Sequence, residues 1–275
     1  MLDFASSGAP RPREPMFSIP GVVIGLVALL LAIHAVVSFV GLQTQDDIYT
    51  QGGFIPGRLT ISLWPDRLAA LLARSNDDAQ ALAQARMWRE TTAGDPGMRL
   101  WTLATYALLH VSWTHVAMNS VWIVAFGPPV ARRFGTVRFL LFFAVTAIVG
   151  ALAHWAYAPM EFSPLIGASA ADSGLMAAAA RFIFQPGAPL GGPRGYIASR
   201  NDPHAETRAA SLYEVFTDRR AVIFIGIWVA TNFVFGAGAQ TLGATEGPVA
   251  WIAHVGGFVA GLVLFPLFDR PARAA

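Results

Sequence analysis

Gly21-Val-Val-Ile-Gly-Leu-Val-Ala-Leu-Leu-Leu-Ala-Ile-His34-Ala-Val-Val-Ser38-Phe-Val-Gly-Leu42 is apolar but for His34 and Ser38. A bilayer core of ~30 Å needs about 20 apolar helical residues, so this stretch is long enough to cross one. It is too long for the apolar core of a signal peptide and lacks a small-residue cleavage site, and so reads as a retained span. Outward from it, further apolar runs lie at 113–130, 138–157, 169–184, 221–239 and 248–268. Six runs predict an all-α membrane protein built as a six-transmembrane-helix bundle. Composition agrees. Of 275 residues 55% are hydrophobic and 13% charged, and mean hydropathy is +0.50, whereas a soluble domain carries about 25% charged residues. This argues against a free globular enzyme or a nucleic-acid binder. Nineteen basic and 17 acidic residues leave a net charge of +2. There is no lysine, and no cysteine, which removes disulfides, thiolate zinc sites and thiol catalysis.

Arginine placement predicts orientation. Arg132, Arg133 and Arg138 follow the second run, and Arg194, Arg200, Arg208, Arg219 and Arg220 lie between the fourth and fifth. Arg270 and Arg273 lie in the tail, while the connections 3–4 and 5–6 carry none. The positive-inside rule then makes both termini cytoplasmic. The expected layout is a short cytoplasmic tail over 1–18, one membrane domain over 19–269 with a long first outer loop at about 43–100, and a cytoplasmic tail over 270–275. Within the first loop, 65–90 has a helical pattern, either an interfacial helix or one packed on the bundle. Residues 186–218, rich in Gly, Pro and Arg, read as a cytoplasmic loop.

Polar groups inside spans are costly and usually face the bundle interior. Here they are His34, His115, Asn119, His154, Asp172, Asn232 and His254, with Ser169 at a span edge. At 1.5 Å per residue, His115 and Asn119 lie within ~3–9 Å of the outer end of their helix and His254 about 9 Å down. The fourth run, at ~24 Å, is too short to cross, so 163–168 must dip into the membrane as non-helical backbone. Ser169, His254, His115 and Asn119 therefore fall at one depth. His34 and His154 do not join them and read as structural histidines.

Serine becomes a nucleophile beside a base, and His254 is the natural one. At a helix N-terminus, free N–H groups and the dipole favour the oxyanion that would form there. His115 and Asn119, four apart, share a face and can both donate to it. Nothing in the spacing requires Asp172 to reach His254, so a Ser-His dyad is the simpler reading. His254, Gly257 and Gly261 lie on one face of their helix and Ser169, Ser173 and Ala177 on one face of theirs, letting the two approach closely. The competing reading makes the glycines a packing seam and the histidines interhelical glue. A zinc protease is disfavoured. There is no H-E-x-x-H, and His110 and His115, five apart, are split across a helix.

Together these residues resemble the rhomboid family of intramembrane serine proteases from about Trp101 to Leu264. His110-Val-Ser-Trp-Thr-His115-Val-Ala-Met-Asn119 resembles the family's H-x₄-H-x₃-N, and Gly167-Ala-Ser169-Ala170 its G-x-S-G. Ala253-His254-Val-Gly256-Gly257-Phe258, with Gly261, is similar to its A-H-x-G-G-F-x-x-G. The resemblance implies Ser169 as nucleophile and His254 as base. It also implies an oxyanion hole of His115, Asn119 and the Ser169 N–H, with His110, Gly167, Gly257 and Gly261 in support. Four positions depart from the family pattern. Ala170 replaces a glycine, adding a methyl that either narrows the site or is absorbed by a neighbour. Thr102 replaces a loop-anchoring arginine, with Arg99 close by; Ala131 replaces a glutamate; Ser173 replaces an aromatic.

The expected activity is hydrolysis of peptide bonds in or near transmembrane segments of other membrane proteins, in a bacterial plasma membrane, with the site opening outward. No cofactor, metal or nucleic acid is expected; the partners are transmembrane substrates and the bilayer. Family analogy makes span five and the outer loops the gate. Two alternatives remain: a non-catalytic rhomboid-like client-binding protein, which predicts loss of the serine or histidine, and a small transporter, which predicts inverted repeats.

Overall fold

The computed structural model describes residues 19–67, 70, 98–186, 188, 208–234 and 250–269. Among them it is helical throughout, with no strand beyond one isolated antiparallel bridge, Phe54 to Leu165. Ten helices follow in order: α1 Gly21–Phe39, α2 Leu42–Gly52, α3 Pro56–Leu63, α4 Thr102–Thr105, α5 Trp113–Phe134, α6 Thr136–Tyr157, α7 Ser169–Ala180, α8 Leu212–Thr217, α9 Arg219–Phe233 and α10 Trp251–Phe268. Three of them, α1, α6 and α10, are long and apolar enough to cross a membrane, with mean hydropathy of 2.7, 2.1 and 1.9.

Local chemistry sets the ends. The Ser112 hydroxyl accepts from the His115 N–H at 3.1 Å and caps α5. Gly135, at φ +77°, separates α5 from α6 in a conformation that favours glycine. Asp218 accepts from the N–H groups of Arg220 and Ala221 at 2.8 and 3.0 Å and starts α9. Among its described residues, the region read as a loop from 186 to 218 carries a helix, α8, because Ser211 and Glu214 form a reciprocal capping box. The Arg208 guanidinium and the Ser211 N–H and hydroxyl hold the Glu214 carboxyl down to about 2. In the first loop α2 and α3 are helical, while most of the helix expected over 65–90 lies outside the described residues.

The core is a stack of α6, α7 and α10, flanked by α5, with α1 packed on α5. The end of the stack at the α5–α6 turn is aromatic: the Phe134 ring lies 5.2 Å from Phe142 and 5.4 Å from Phe265. Helix α7 has 12 residues, ~18 Å of rise, and ends four residues earlier than the apolar run. There Arg181 turns its guanidinium onto the carbonyls of Ala210 and Leu262, at 2.8 and 2.6 Å. Those bonds satisfy a buried cation and tie the chain before α8 to the core.

Candidate active site

The first-loop helices brace the chain that enters α7. The N–H and carbonyl of Phe54 pair with those of Leu165 at 3.1 and 2.7 Å, and the Gly57 N–H donates to Glu161 O at 2.7 Å. Gly57 has no room for a side chain, because a Cβ there would stand 2.2 Å from the Phe162 ring. The Thr60 hydroxyl donates to Pro159 O and accepts from the Trp155 indole N–H. Deeper, the Gly167 N–H donates to Tyr106 O at 3.0 Å. The Tyr106 hydroxyl donates in turn to Ala147 O at 2.8 Å. The 158–168 segment is thus non-helical backbone held by protein, as a short α7 requires.

Ser169 is the first residue of α7, and its hydroxyl lies 2.7 Å from His254 Nε2 on α10. Small residues bring the helices to this distance. A Cβ on Gly257 would stand 2.0 Å from Ala170 O, and one on Gly261 would stand 2.4 Å from Gly174 O. The seam on α7 is therefore Ala170, Gly174 and Ala177, one register on from the Ser169–Ser173–Ala177 face read from spacing. Only Ala177 is common to both. This displacement keeps Ser169 beside the seam, free to face His254, while Ser173 donates to Ser169 O at 2.8 Å.

The other ring nitrogen, His254 Nδ1, lies 2.7 Å from Asn232 Oδ1 on α9. The Asn232 amide nitrogen points toward Trp251 O at 3.5 Å. Asn232 stood among the polar span residues, but no spacing tied it to His254.

On the opposite side, Gly167 adopts φ +117° and packs on the two expected oxyanion donors. A Cβ there would stand 2.7 Å from His115 Cε1 and Nε2 and 3.8 Å from Asn119 Nδ2. Asn119 Nδ2 donates to His115 O at 3.1 Å. The first-turn N–H groups of α7 have no partner within the helix. His110 lies before α5 begins, so the two histidines are not split across a helix. Their rings meet edge to face at 5.0 Å. The His110 carbonyl accepts from the Tyr49 hydroxyl at 2.9 Å and from His34 Nδ1 at 3.0 Å.

The remaining polar residues lie apart from the Ser169–His254 contact. His34 serves His110, and His154 Nε2 pairs with Glu161 at 3.0 Å. Asp172 is buried, and neither carboxyl oxygen has a hydrogen-bond partner among the described residues. The Ala170 methyl is absorbed by a neighbour, because α6 has Gly150 opposite; a Cβ there would stand 2.6 Å from that of Ala170. Arg99 donates to Gln51 on α2, joining the approach to α4 to the first-loop helices. No group of three or more potential metal ligands occurs among the described residues.

The described residues form an all-helical bundle with apolar helices long enough to cross a membrane, and it seats a serine hydroxyl at a short helix's N-terminus against a histidine of α10. The Rhomboid domain model matches residues 97–270, and the chain belongs to the rhomboid family. It is 37% identical over 93 residues to YdcA of Bacillus subtilis, provisionally named a rhomboid protease, covering 32% of this chain and 46% of YdcA. It is 35% identical over 78 residues to rhomboid protease GluP of the same organism, 28% of this chain and 15% of GluP. With Rhomboid-like protease 3 of Toxoplasma gondii it shares 33% over 78 residues, 28% of this chain and 29% of that protein. The matched stretches span less than half the length of each relative.

Proposed function

We propose that the protein is an intramembrane serine protease that cleaves peptide bonds in or near transmembrane segments of other membrane proteins. The observation that carries this reading is the 2.7 Å contact between Ser169 Oγ and His254 Nε2 at the N-terminus of α7. Ser169 Oγ bonds to the scissile carbonyl carbon as its proton passes to His254 Nε2. The tetrahedral oxyanion is held by His115, Asn119 and the Ser169 N–H. Collapse breaks the C–N bond, with His254 returning its proton to the leaving amine. Water then attacks the acyl-enzyme by the same base and releases the acid, restoring Ser169. No step draws on a cofactor or metal. His110 and Gly167 support the donors, and Gly257 and Gly261 support the Ser–His approach.

In this reading 19–269 form one six-span domain, with α5, α7 and α9 as the spans beside the three apolar helices and α7 beginning below the outer surface. Both termini are cytoplasmic and the site opens to the outer face of a plasma membrane. Substrates unwind on the way in, since a helical peptide bond is shielded by its own backbone, and α9 with the outer loops flanks their path. The test is cleavage of a tagged single-span substrate in membranes, together with labelling by a fluorophosphonate. Wild type is expected to cleave and to label at Ser169, with both lost in Ser169→Ala and His254→Ala. Cleavage at the wild-type rate by either variant would sink the assignment. An unlabelled wild type that still captures membrane clients would favour the non-catalytic alternative.

A further inference from the structure

We propose that Asn232 is a positioning residue for His254, and that through it α9 becomes part of the catalytic assembly. This rests on the reading of His254 as the base. The carbonyl oxygen of Trp251 can only accept a hydrogen bond. The Asn232 amide nitrogen faces that oxygen at 3.5 Å, which turns the amide oxygen toward His254 Nδ1 at 2.7 Å. An amide oxygen carries no proton, so at this distance Nδ1 must supply one. A neutral imidazole protonated at Nδ1 has its lone pair on Nε2, the atom that meets the Ser169 hydroxyl at 2.7 Å. Asn232 therefore selects the tautomer that can take the serine proton, and holds the ring plane in line with it.

The position of Asn232 in the fold adds a second consequence. It belongs to α9, which buries only Ala221 among its residues. One turn away, Trp228 stacks on Phe258 of α10 with ring centroids 4.0 Å apart. The orienting bond thus crosses the seam between α9 and α10. A shift of α9 by about 1 Å takes the 2.7 Å contact beyond hydrogen-bond range. Moving α9 to admit a substrate releases the imidazole, and its return restores the base. The site is fully assembled only with α9 in place.

The experiment uses the full chain in lipid vesicles. Two rates are measured: fluorophosphonate labelling of Ser169 and cleavage of a tagged single-span substrate. The variants are Asn232→Leu, Asn232→Asp and, as a control on the same helix, Thr231→Ala. Asn232→Leu is expected to lower labelling and kcat by about 10- to 100-fold with KM unchanged. Asn232→Asp keeps an oxygen for Nδ1 and is expected to recover most of the labelling, and Thr231→Ala to match wild type. Wild-type labelling in Asn232→Leu, no recovery in Asn232→Asp, or an effect on KM alone would overturn the proposal. Nitrogen-15 spectra of histidine-labelled wild type, with His254 assigned by His254→Gln, need no variant at Asn232. A proton on Nδ1 supports the inference, and one on Nε2 overturns it. A wild type that does not label at all would instead remove the protease reading itself.

Discussion

Helix α7 buries 11 of its 12 residues, every one after Ser169, whereas α9 buries one of its 15, Ala221. The two helices meet the same imidazole from opposite sides. Backbone-to-backbone approach holds α7: glycines of α10 lie against the carbonyls of Ala170 and Gly174, and Gly174 itself lies against Thr146 of α6. Such contacts leave no slack, because carbonyl oxygens in a helix cannot move aside. Side chains hold α9: Trp228 on Phe258 and Phe224 against Phe126 and Phe184. Aromatic rings can slide and repack where glycine seams cannot. One bundle thus holds Ser169 beside a backbone seam on one side of His254 and lines the other side with a helix held by side chains alone.

The largest expected effect comes from attacking the fixed side. In Gly257→Ala the new methyl would start 2.0 Å from Ala170 O. The obstacle is backbone, so α7 and α10 must separate at the residue beside Ser169. The expected loss is about 3 kcal/mol, the upper end of overpacking costs, together with loss of Ser169 labelling. Thermal midpoint and labelling measured on the same sample check it, and an unchanged midpoint would break the picture of a rigid seam. Asp172 is the one flaw in that seam's helix, a buried carboxyl with no partner among the described residues. Leaving such a group unsatisfied costs about 1–3 kcal/mol, so Asp172→Ala is expected to raise stability by an amount in that range. An equal or lower midpoint would show that the carboxyl is satisfied in the membrane.

The sequence makes the fixed side legible and the displaceable side largely not, for a physical reason. Ser169, His254, Gly257 and Gly261 sit in short stretches where helical spacing alone decides which residues share a face. His115 and Asn119 obey the same four-residue rule, and a run too short to cross set the depth of Ser169. Spacing mistook the register by one residue, because it cannot tell which of two adjacent small-residue lines takes the contact, and it set His110 on a helix that begins only at Trp113. Asn232 is different in kind. It lies 22 positions before His254, and no periodicity links residues on two different helices. Its partner is decided by the rotation of α9 about its own axis, and that rotation is set by aromatic packing rather than by a repeat. The brace from α2 and α3 is hidden for the same reason: the Phe54–Leu165 bridge joins residues with no shared pattern.

Two smaller effects sharpen the contrast from the α9 side. Trp228→Ala removes the ring stacked on Phe258 and is expected to cost about 1 kcal/mol for the lost aromatic pair, well below Gly257→Ala. Its effect on function should be out of proportion to that cost. Loosening α9 frees Asn232, so Ser169 labelling should fall while the fold persists. Labelling that tracks the midpoint, with no excess loss, would mean α9 serves only as packing.

Gly226→Ala is the smallest and the most direct comparison, because it makes on α9 the same change as Gly257→Ala on α10. No atom among the described residues lies within 4 Å of the methyl it would add. A methyl in open space on an exposed helix face adds no clash, and the helix preference for alanine over glycine raises stability by no more than about 1 kcal/mol. Labelling should match wild type, and the midpoint should hold or rise slightly. If Gly226→Ala instead destabilises or silences the protein, then something packs against that face in the membrane, and α9 is as tightly held as α7. If it is silent while Gly257→Ala is not, one added carbon separates the two helices: lethal where backbones touch, and unnoticed where only side chains hold the wall.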